Sequence, residues 1–292
     1  MKIKDRFREP DNTETVRMCI MKRNGESFTE EHRVLREHEL TIIINEREAI
    51  RLVCTASDIV NLVVGRLLSE GFVDSAEDIE NIYICETGQR ARVFITEEAA
   101  ERLDTENKGT EDRNRYAYKD DNNDNDASFE YGRITVSQEI QTCCTDNINY
   151  IKTSRPLKKI APHREIRPEE IFELTDRFKK DGELHRETGG TQSAYLMYKG
   201  RTVYGCEDIG RHNALDKAIG EMAVKGYDPS ECLIFTTGRT PVDMVRKGIR
   251  AGVAGLVSKS VPTEQAAELA REYGLNLYFR AWPDSYVYEK KI

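Results

Sequence analysis

The C-terminal half of the chain constrains the fold most, because strand-like and helix-like segments alternate there from Thr188 to the end. Short apolar runs bounded by turn residues predict buried strands, which read ECLIFTTG, AGLVS and LNLYFRAW. A further strand pair, QSAYLMYKG and RTVYGCED, is predicted around Lys199-Gly200. Longer segments with helical periodicity lie between them, namely RHNALDKAIGEMAVKG, TPVDMVRKGIRAG and TEQAAELAREYG. This alternation predicts an α/β fold in which helices cover a sheet.

The N-terminal part is predicted to be a smaller, β-rich subdomain with one helix. Turn dipeptides at Asn24-Gly25 and Asn45-Glu46 each separate two strand-like runs and predict two hairpins. The helix is predicted in SDIVNLVVGRLLSEG, with Ser57 as N-cap and Gly71 as C-cap. RPEEIFELTDRFKKDG predicts a second helix further on. The predicted regions are the β-rich subdomain at 1–100, an acidic insert at 101–130, a cysteine-bearing loop region at 131–167 and an α/β domain at 168–292.

The negative charge of the chain is concentrated in one low-complexity segment. Residues 96–130 carry 12 acidic and 5 basic side chains, which accounts for seven of the eight net negative charges. From about Asp104 to Asp126 the segment lacks periodicity, so we predict a solvated loop. The remainder is nearly neutral, and we expect no nucleic-acid partner. No apolar run approaches the roughly 20 residues of a membrane helix, and no secretory signal is visible, so we expect a cytoplasmic protein with reduced cysteines and no membrane partner.

Charged and polar residues crowd into the segment EDIGRHNALDK, which opens a predicted helix near Arg211. On that helix, residues 212 and 216 share a face, as do 213 and 217, so His212 and Asp216 can point at one ligand. The alternative is a capped helix with an intrahelical ion pair. A plain cap needs a single Asp, whereas this segment has Gly, Arg, His and Asn in succession.

A second polar segment, FTTGRTPVDMVRKGIRAG, joins a predicted strand to a helix. Thr240 is predicted as its N-cap, with Pro241 in the first turn and Asp243 completing a capping-box-like pattern. The free backbone N–H groups of such a helix start attract anions, and Arg239 beside it could grip a phosphate with two hydrogen bonds. Further along, Arg246, Lys247 and Arg250 fit this site or a solvated helix face equally well. A third segment, ETGGTQSA, places Gly189 and Gly190 where the backbone turns tightly or touches a ligand.

Cys143 and Cys144 are adjacent in a polar loop, IQTCCTDN. A disulfide between them is strained, because neighbouring Cα atoms lie about 3.8 Å apart and disulfides prefer about 4.4–6.8 Å. A zinc site needs about four ligands, usually with cysteines two to four residues apart. The remaining cysteines lie singly in predicted strands and suit small buried hydrophobic positions; they are Cys19, Cys54, Cys85, Cys206 and Cys232. The doublet is therefore either a reactive thiol site or an accident of sequence.

Taken in order, TGG, EDIGRHNALDK, TGRTPVDMVRKGIRAG and SVPTEQAAELAREYGLNLYFR resemble the formate dehydrogenase accessory sulfurtransferase (FdhD) family. The resemblance implies a sulfur carrier. Such proteins accept persulfide sulfur from a cysteine desulfurase and pass it to the molybdenum or tungsten bis-guanine-dinucleotide cofactor before that cofactor enters formate dehydrogenase. It also implies an α/β/α architecture like that of cytidine deaminases, and a homodimer. The cofactor is cargo, with no permanently bound group and no metal ligands expected, and a guanine nucleotide is expected to fit the pocket.

The resemblance also implies which residues form the site. Family members carry C-x-x-C in a glycine-bearing loop where this chain has Cys143 and Cys144, so one of these is expected to hold the persulfide. The segment after the last core strand, residues 279–284, departs from the more basic, glycine-containing form of the family. In it, Trp282 either stacks on a guanine or pterin or belongs to the core. The expected cofactor-binding residues are Gly189, Gly190, Asp208, Gly210, Arg211, His212, Asn213, Asp216, Lys217, Gly238, Arg239, Phe279, Arg280, Ala281, Trp282, Pro283 and Asp284.

Two other functions fit the same sequence. A cofactor-binding chaperone would deliver the cofactor without moving sulfur, and the loss of C-x-x-C favours it. An enzyme acting on nucleotides would use the deaminase-like scaffold directly. Zinc deaminases need H-x-E followed by P-C-x-x-C, and here His163-Arg164-Glu165 has no such partner, so deamination is disfavoured.

Overall fold

The structure is a computed structural model that describes residues 1–103, 148–149, 155–160, 165–180 and 182–289. These residues form two six-stranded sheets, a separate two-stranded ribbon and helices packed between and over the sheets. The predicted acidic loop and both cysteines of the doublet lie outside the described residues. Within the described residues, each helix is too short or too polar to cross a lipid bilayer.

The first sheet is built mainly from the N-terminal part of the chain. Its strands are β1 (Lys2–Asp5), β4 (His38–Ile44), β5 (Arg47–Cys54), β6 (Ile79–Ile84), β7 (Arg90–Ile95) and β8 (Ile148–Asn149), in the spatial order β1-β6-β7-β4-β5-β8. Asn45 and Glu46 both have positive φ, 44° and 67°, as a two-residue hairpin turn requires. The predicted β4–β5 hairpin is therefore confirmed.

The second predicted hairpin is the ribbon, formed by β2 (Thr13–Met21) and β3 (Ser27–Leu35). Gly25 in its turn has φ 89°, which a side chain would oppose. Among the described residues β2 and β3 pair only with each other, so the ribbon is a sheet of its own.

The second six-stranded sheet belongs to the C-terminal half. Its strands are β9 (Gln192–Tyr198), β10 (Arg201–Asp208), β11 (Cys232–Thr236), β12 (Gly255–Ser258), β13 (Asn276–Trp282) and β14 (Ser285–Tyr288), in the order β10-β9-β11-β12-β13-β14. β11, β12 and β13 are parallel, whereas β9 runs antiparallel to β11. The predicted strand pair around Lys199-Gly200 is confirmed as the β9–β10 hairpin.

Helices lie on both faces of this second sheet. The helices of the molecule are α1 (Ile59–Glu70), α2 (97–103), α3 (Pro168–Lys180), α4 (Glu183–Thr188), α5 (Arg211–Val224), α6 (Val242–Ala251) and α7 (Glu264–Tyr273). Side chains alternate along β11: Ile234 joins the core under α5, and Phe235 joins a smaller core under α3. The C-terminal half is thus a layered α/β/α structure, as the alternation of segments indicates.

The two sheets share one hydrophobic core because α1 packs tightly against α5. A Cβ at Gly65 would lie 1.7 Å from the carbonyl oxygen of Asp216, and one at Gly220 would lie 1.8 Å from that of Asn61. The two helix backbones therefore touch, which only glycine permits at these positions. The proposed boundaries between regions stay predictions, and the described part of the chain shows continuous packing across α1 and α5.

Two predicted helix caps are wrong, although the predicted helices are present. The N-cap of α1 is Asp58, one residue after Ser57, and it has φ 50° and no side-chain cap. The N-cap of α6 is Pro241, because Thr240 is buried and its backbone bridges to Pro262. Gly71 is confirmed as the C-cap of α1. The sequence did not predict the short elements β1, β8, β14, α2 and α4.

Candidate functional site

The predicted cofactor-binding segments meet at one edge of the C-terminal sheet. Because β11, β12 and β13 are parallel, their carboxyl ends lie at the same edge. β9 is antiparallel to β11 and begins at that edge, and β10 is antiparallel to β9 and ends there. The segments at 189–190, 208–217, 238–239 and 279–284 thus come together, although they are separated in sequence.

Gly238 lies near the middle of this edge, two residues after the end of β11. A Cβ at Gly238 would lie 2.8 Å from Cβ of Arg211, so glycine allows the start of α5 to approach the end of β11. Ser258 Oγ donates to the Gly238 carbonyl at 2.9 Å, and this contact ties β12 to the same point. Thr237 Oγ1 donates to Gln192 Oε1 at 3.1 Å, and this contact adds the start of β9.

A short contact between His212 and Asp243 joins the beginnings of α5 and α6. His212 Nε2 lies 2.6 Å from Asp243 Oδ2, and the Met244 N–H donates to Oδ1 of the same carboxylate at 2.9 Å. Burial raises the pKa of Asp243, but hydrogen bonds from His212 and Met244 and the charges of His212 and Arg211 bring that pKa below its ordinary value. Asp243 is therefore an anion at neutral pH, and it holds the two helix starts together.

Asp208 and Lys217 form a wholly buried ion pair behind the loop at 209–210. Lys217 Nζ lies 2.7 Å from Asp208 Oδ2 and donates to Thr55 Oγ1 at 2.8 Å. Asp208 Oδ1 accepts from the N–H of Gly210 at 3.0 Å and from Nδ2 of Asn213 at 2.9 Å. Burial lowers the pKa of Lys217, but Asp208 outweighs burial and the pKa is raised overall. The pair thus fixes the loop that presents Arg211.

A second buried network connects α1, α5 and α6. Asp216 lies 3.0 Å from Arg66 Nε and 3.1 Å from Lys247 Nζ. Lys247 and Arg66 also contact Glu70, at 2.6 Å and 3.1 Å. Burial raises the pKa of Glu70, but the two cations together bring it down to about 2. These ion pairs join Asp216 on α5 to Arg66 on α1 and Lys247 on α6, so the alternative prediction of an ion pair within one helix is wrong for Asp216.

His212 and Asp216 have different partners in the structure, although they share a helix face. His212 contacts Asp243, and Asp216 contacts Arg66 and Lys247. The predicted residues therefore fall into two groups. The buried ones are Asp208, Gly210, His212, Asn213, Asp216, Lys217, Gly238 and Ala281. The ones that are exposed or half-buried are Gly189, Gly190, Arg211, Arg239, Phe279, Arg280, Trp282, Pro283 and Asp284.

The difference in burial indicates that the two groups have different roles. The buried polar side chains already contact protein groups, and Ala281 packs in the core under α3. The exposed group carries three arginines at the sheet edge, which can face an anion. Direct cofactor contact by any of these residues stays a prediction.

Trp282 is 45% exposed, so the interpretation that it is a core residue is wrong. Lys259 Nζ lies 4.9 Å from the centre of the indole ring and 5.0 Å from that of Phe178. The ring is therefore partly open to solvent at the sheet edge, where a flat aromatic group can stack.

Two buried hydroxyls near this edge were not predicted. Ser193 is 1% exposed and Thr240 is fully buried, and among the described residues neither hydroxyl has a hydrogen-bond partner. Buried polar groups without partners are uncommon, and ligands or water often satisfy them. Neither residue stands out in the sequence, because a lone Ser in a strand and a Thr before a Pro are ordinary.

The five described cysteines are free and fall into two kinds. Cys54, Cys206 and Cys232 are buried, as predicted, whereas the prediction is wrong for Cys19, which is exposed, and for Cys85, which is half-buried. Burial raises the pKa of Cys206 to about 12. Cys143 and Cys144 lie outside the described residues.

Cys85 lies in the β6–β7 turn, at a pocket of about 370 Å³ lined by Arg6, Cys85, Glu86 and Thr87. Its sulfur accepts from the Arg90 N–H at 3.3 Å and contacts Thr87 Oγ1 at 3.3 Å. Burial raises the pKa of Cys85, but the Thr87 hydroxyl and the turn amides lower it below its ordinary value. In the described part of the chain, no three His, Cys, Asp or Glu side chains lie close enough to hold a metal ion.

Fold and site together define a layered α/β protein with polar loops gathered at one sheet edge and braced by buried ion pairs. The FdhD/NarQ family profile matches residues 35–290. This chain belongs to the FdhD/NarQ family.

Curated relatives and a solved structure agree with this assignment. The sulfur carrier protein FdhD of Halalkalibacterium halodurans is 28% identical over 249 residues, which cover 84% of this chain and 82% of the relative. The sulfur carrier protein FdhD of Bacillus subtilis is 28% identical over 270 residues, or 91% of each chain. A crystal structure of a formate dehydrogenase accessory protein from Desulfotalea psychrophila has a TM-score of 0.68 at 20% identity, with 94% of this chain and 95% of that chain covered. This last likeness shows a shared fold.

Proposed function

We propose that this chain is a sulfur carrier that acts in the maturation of formate dehydrogenase. The names of its curated relatives support this function, since they are sulfur carrier proteins that align over most of the chain. The observation that carries the proposal is the convergence of arginines and glycine loops at one sheet edge, held by the buried Asp208–Lys217 pair. Such an edge suits a phosphate-bearing acceptor of sulfur.

The acceptor in this proposal is the bis-guanine-dinucleotide form of the molybdenum or tungsten cofactor, handled as substrate. Arg211 and Arg239 would pair with its phosphates, and Trp282 would stack on a guanine or pterin ring. The partnerless hydroxyls of Ser193 and Thr240 support a polar ligand at this edge. The layered C-terminal half is proposed to be related to the cytidine-deaminase architecture, which also binds nucleotides.

The sulfur is proposed to travel on Cys143 or Cys144. The thiolate attacks the outer sulfur of a persulfide on a cysteine desulfurase. One S–S bond breaks as another forms, and the desulfurase cysteine leaves as a thiolate. The S–S bond of the carrier persulfide then breaks, the outer sulfur passes to the metal of the cofactor, which supplies the two electrons that make it a sulfide ligand, and the carrier cysteine leaves as a thiolate. The loaded cofactor passes to the catalytic subunit of formate dehydrogenase. We further propose that the carrier is a homodimer.

Intact-protein mass spectrometry after incubation with a cysteine desulfurase and cysteine tests the sulfur step. Wild type should gain the mass of one sulfur atom, and the gain should vanish in Cys143→Ala or in Cys144→Ala. Cys85→Ala is the matched control, because Cys85 is the described thiol with a lowered pKa, and it should leave the gain intact. No gain in wild type, with a desulfurase shown to be active, would contradict sulfur transfer.

A cofactor-binding chaperone is the second candidate, because adjacent cysteines replace the C-x-x-C of the family. Both candidates need the sheet edge, so both predict that Arg211→Ala and Arg239→Ala weaken the binding of a guanine nucleotide. Loss of one charge-assisted contact should cost about tenfold to a hundredfold in affinity, measured by calorimetry with GDP. Arg201→Ala is the control, since Arg201 is exposed at the opposite end of β10. Unchanged affinity in both arginine variants would remove the pocket from either function.

A further inference from the structure

The β2–β3 ribbon stands apart from both large sheets. Its base is anchored by Arg33, which lies 2.8 Å from Asp11 and 3.3 Å from Glu187, and by Leu35, which packs against Gly190. Beyond this base, the described residues provide no further strand for either edge. An isolated two-stranded ribbon is marginally stable in water, so its outer part gains from a partner.

One face of the ribbon is mostly apolar, and its polar residues are Glu14, Glu30 and His32. In the ribbon, the numbers of two paired residues always add up to 48, so each even-numbered residue of β2 pairs with an even-numbered residue of β3. Because the side chains of paired residues lie on the same face, the even-numbered residues of both strands share one face. The apolar residues on that face are Val16, Met18, Ile20, Phe28 and Val34. Met18 is 44% exposed and Phe28 is 43% exposed, so the face is open in a single copy. An exposed apolar face of this kind is typical of an interaction surface.

The free edge of β2 has a defined set of backbone groups. The Lys22 N–H donates to the Glu26 carbonyl at 2.8 Å, so even-numbered residues of β2 direct their backbone groups toward β3. In an antiparallel pair these directions alternate, which leaves odd-numbered residues with N–H and C=O groups at the free edge. These residues are Thr15, Arg17, Cys19 and Met21. They can accept a new antiparallel strand.

We propose that β2 pairs antiparallel with β2 of a second copy, about a twofold axis at Met18. In this register Glu14 lies opposite Lys22 of the second copy, and Val16 lies opposite Ile20. By symmetry each of these contacts forms twice. On the mostly apolar face, Glu14 and Lys22 meet as opposite charges, apolar residues meet apolar residues, and the faces of the two copies join into one, while Arg17 lies opposite Cys19 on the other face. The strand sequence ETVRMCIMK is thus complementary to itself at its even-numbered positions.

Neighbouring registers lose this match. A shift of two residues puts Val16 opposite Lys22, and pairing through β3 about its middle residue puts Glu31 opposite Glu31. Glu14 and Lys22 already form ion pairs within one copy, but these compete only weakly with the proposed pairs between copies. Glu14 lies 3.7 Å from Arg36, and Lys22 lies 3.6 Å from Glu26, but all four side chains are more than half exposed, where ion pairs contribute little.

All of the ribbon except Leu35 lies before the family match, which begins at residue 35. The inference deepens the proposed function by giving the proposed homodimer its interface. Its test uses no sulfur transfer and no nucleotide, so failure of the sulfur-carrier function and failure of this interface are separate results.

Sedimentation velocity over a range of protein concentrations tests the interface. Wild type should shift from monomer to dimer as concentration rises, and Met18→Lys should raise the dissociation constant at least about tenfold by placing two cations at the axis. Val203→Lys is the matched control, because Val203 is 41% exposed on the edge strand β10, and it should not change the dissociation constant. Thermal unfolding of each variant verifies that it is folded.

Charge exchange tests the register. Glu14→Lys and Lys22→Glu should each weaken the dimer, and the double variant should restore it because each pair is then merely reversed. A wild type that stays monomeric, or a dimer insensitive to Met18→Lys, would overturn the interface. Single variants that weaken the dimer without recovery in the double variant would overturn the register.

Discussion

Cysteines of the same chemistry differ in this molecule because of what surrounds each sulfur. Cys54 is fully buried and its pKa is raised, first by burial and then by the nearby Asp208 carboxylate. Cys85 has turn amides and a hydroxyl directed at its sulfur. Both lie in or directly after strands, so sequence alone gives them the same environment. The difference comes from tertiary contacts, which a linear pattern does not contain.

Cys85 should therefore be alkylated at least about tenfold faster than Cys54 or Cys206 near neutral pH, because the thiolate is the reacting form. Iodoacetamide labelling followed by peptide mass spectrometry measures the three rates in one sample. Thr87→Val removes the hydroxyl that lowers the pKa of Cys85, so it should slow Cys85 and leave Cys54 unchanged. Equal rates for the three thiols would contradict the assigned environments.

The polar motif residues show the same limit at the candidate site. The resemblance to the family predicted that the motifs share a region, and the parallel strands do place them at one edge. The sequence could not show that Asp208 and Asp216 point inward, because their partners Lys217, Arg66 and Lys247 are set by helix packing. Ser193 and Thr240 gave no signal at all, since their burial depends on the whole sheet.

At the scale of elements, the hairpins and long helices were predictable because their signals are local. Turn dipeptides set the hairpins, and helical periodicity set α3, α5, α6 and α7. Short strands such as β14 depend on a neighbour for their backbone hydrogen bonds, so they have no local signal. The caps at Ser57 and Thr240 failed because each residue is held by tertiary contacts, for example Ser57 with Lys217.

The contact between α1 and α5 should tolerate no side chain at its centre. Gly65→Ala and Gly220→Ala should each lower the free energy of unfolding by about 3 kcal/mol or more, because a carbonyl oxygen blocks the added methyl group. Gly248→Ala is a matched control in α6, where the methyl group would meet the Leu256 side chain at 2.9 Å and no backbone carbonyl, so it should cost less. Urea unfolding measures all three. If Gly65→Ala lowers the free energy of unfolding only slightly, the two helices can move apart at little energetic cost.

At the scale of the whole molecule, buried ion pairs hold the N-terminal and C-terminal parts in a fixed relative position. Arg66 and Glu70 come from α1 of the N-terminal part, and Asp216 and Lys247 come from the C-terminal part. Removing one member of such a network leaves its partner buried and unpaired, which is costly. The packing of the two parts is therefore linked to pH through the Glu70 carboxylate.

Acid should weaken the molecule through Glu70, whose pKa falls from 4.5 to about 2 on folding. A carboxylate with a lowered pKa stabilises the fold above pH 4.5, and this contribution is lost as pH falls from 4.5 toward 2. Glu70→Gln should thus lower the unfolding free energy at neutral pH by about 1–3 kcal/mol, with a smaller difference in acid. Urea unfolding across this pH range measures the difference, with Glu80→Gln as control because Glu80 is exposed on β6. A pH-independent difference would show that Glu70 acts through packing alone.

The lone indole of the chain has a practical consequence. Trp282 is the single tryptophan in the sequence, so all indole fluorescence arises from one place, the end of β13. Its ring is partly open to water, and a lysine ammonium lies over it. A flat molecule that displaced the water and the ammonium would change the emission wavelength and its quenching by iodide. The protein therefore carries its own fluorescent probe at the sheet edge, and the rate at which a ligand binds there can be measured without an attached dye.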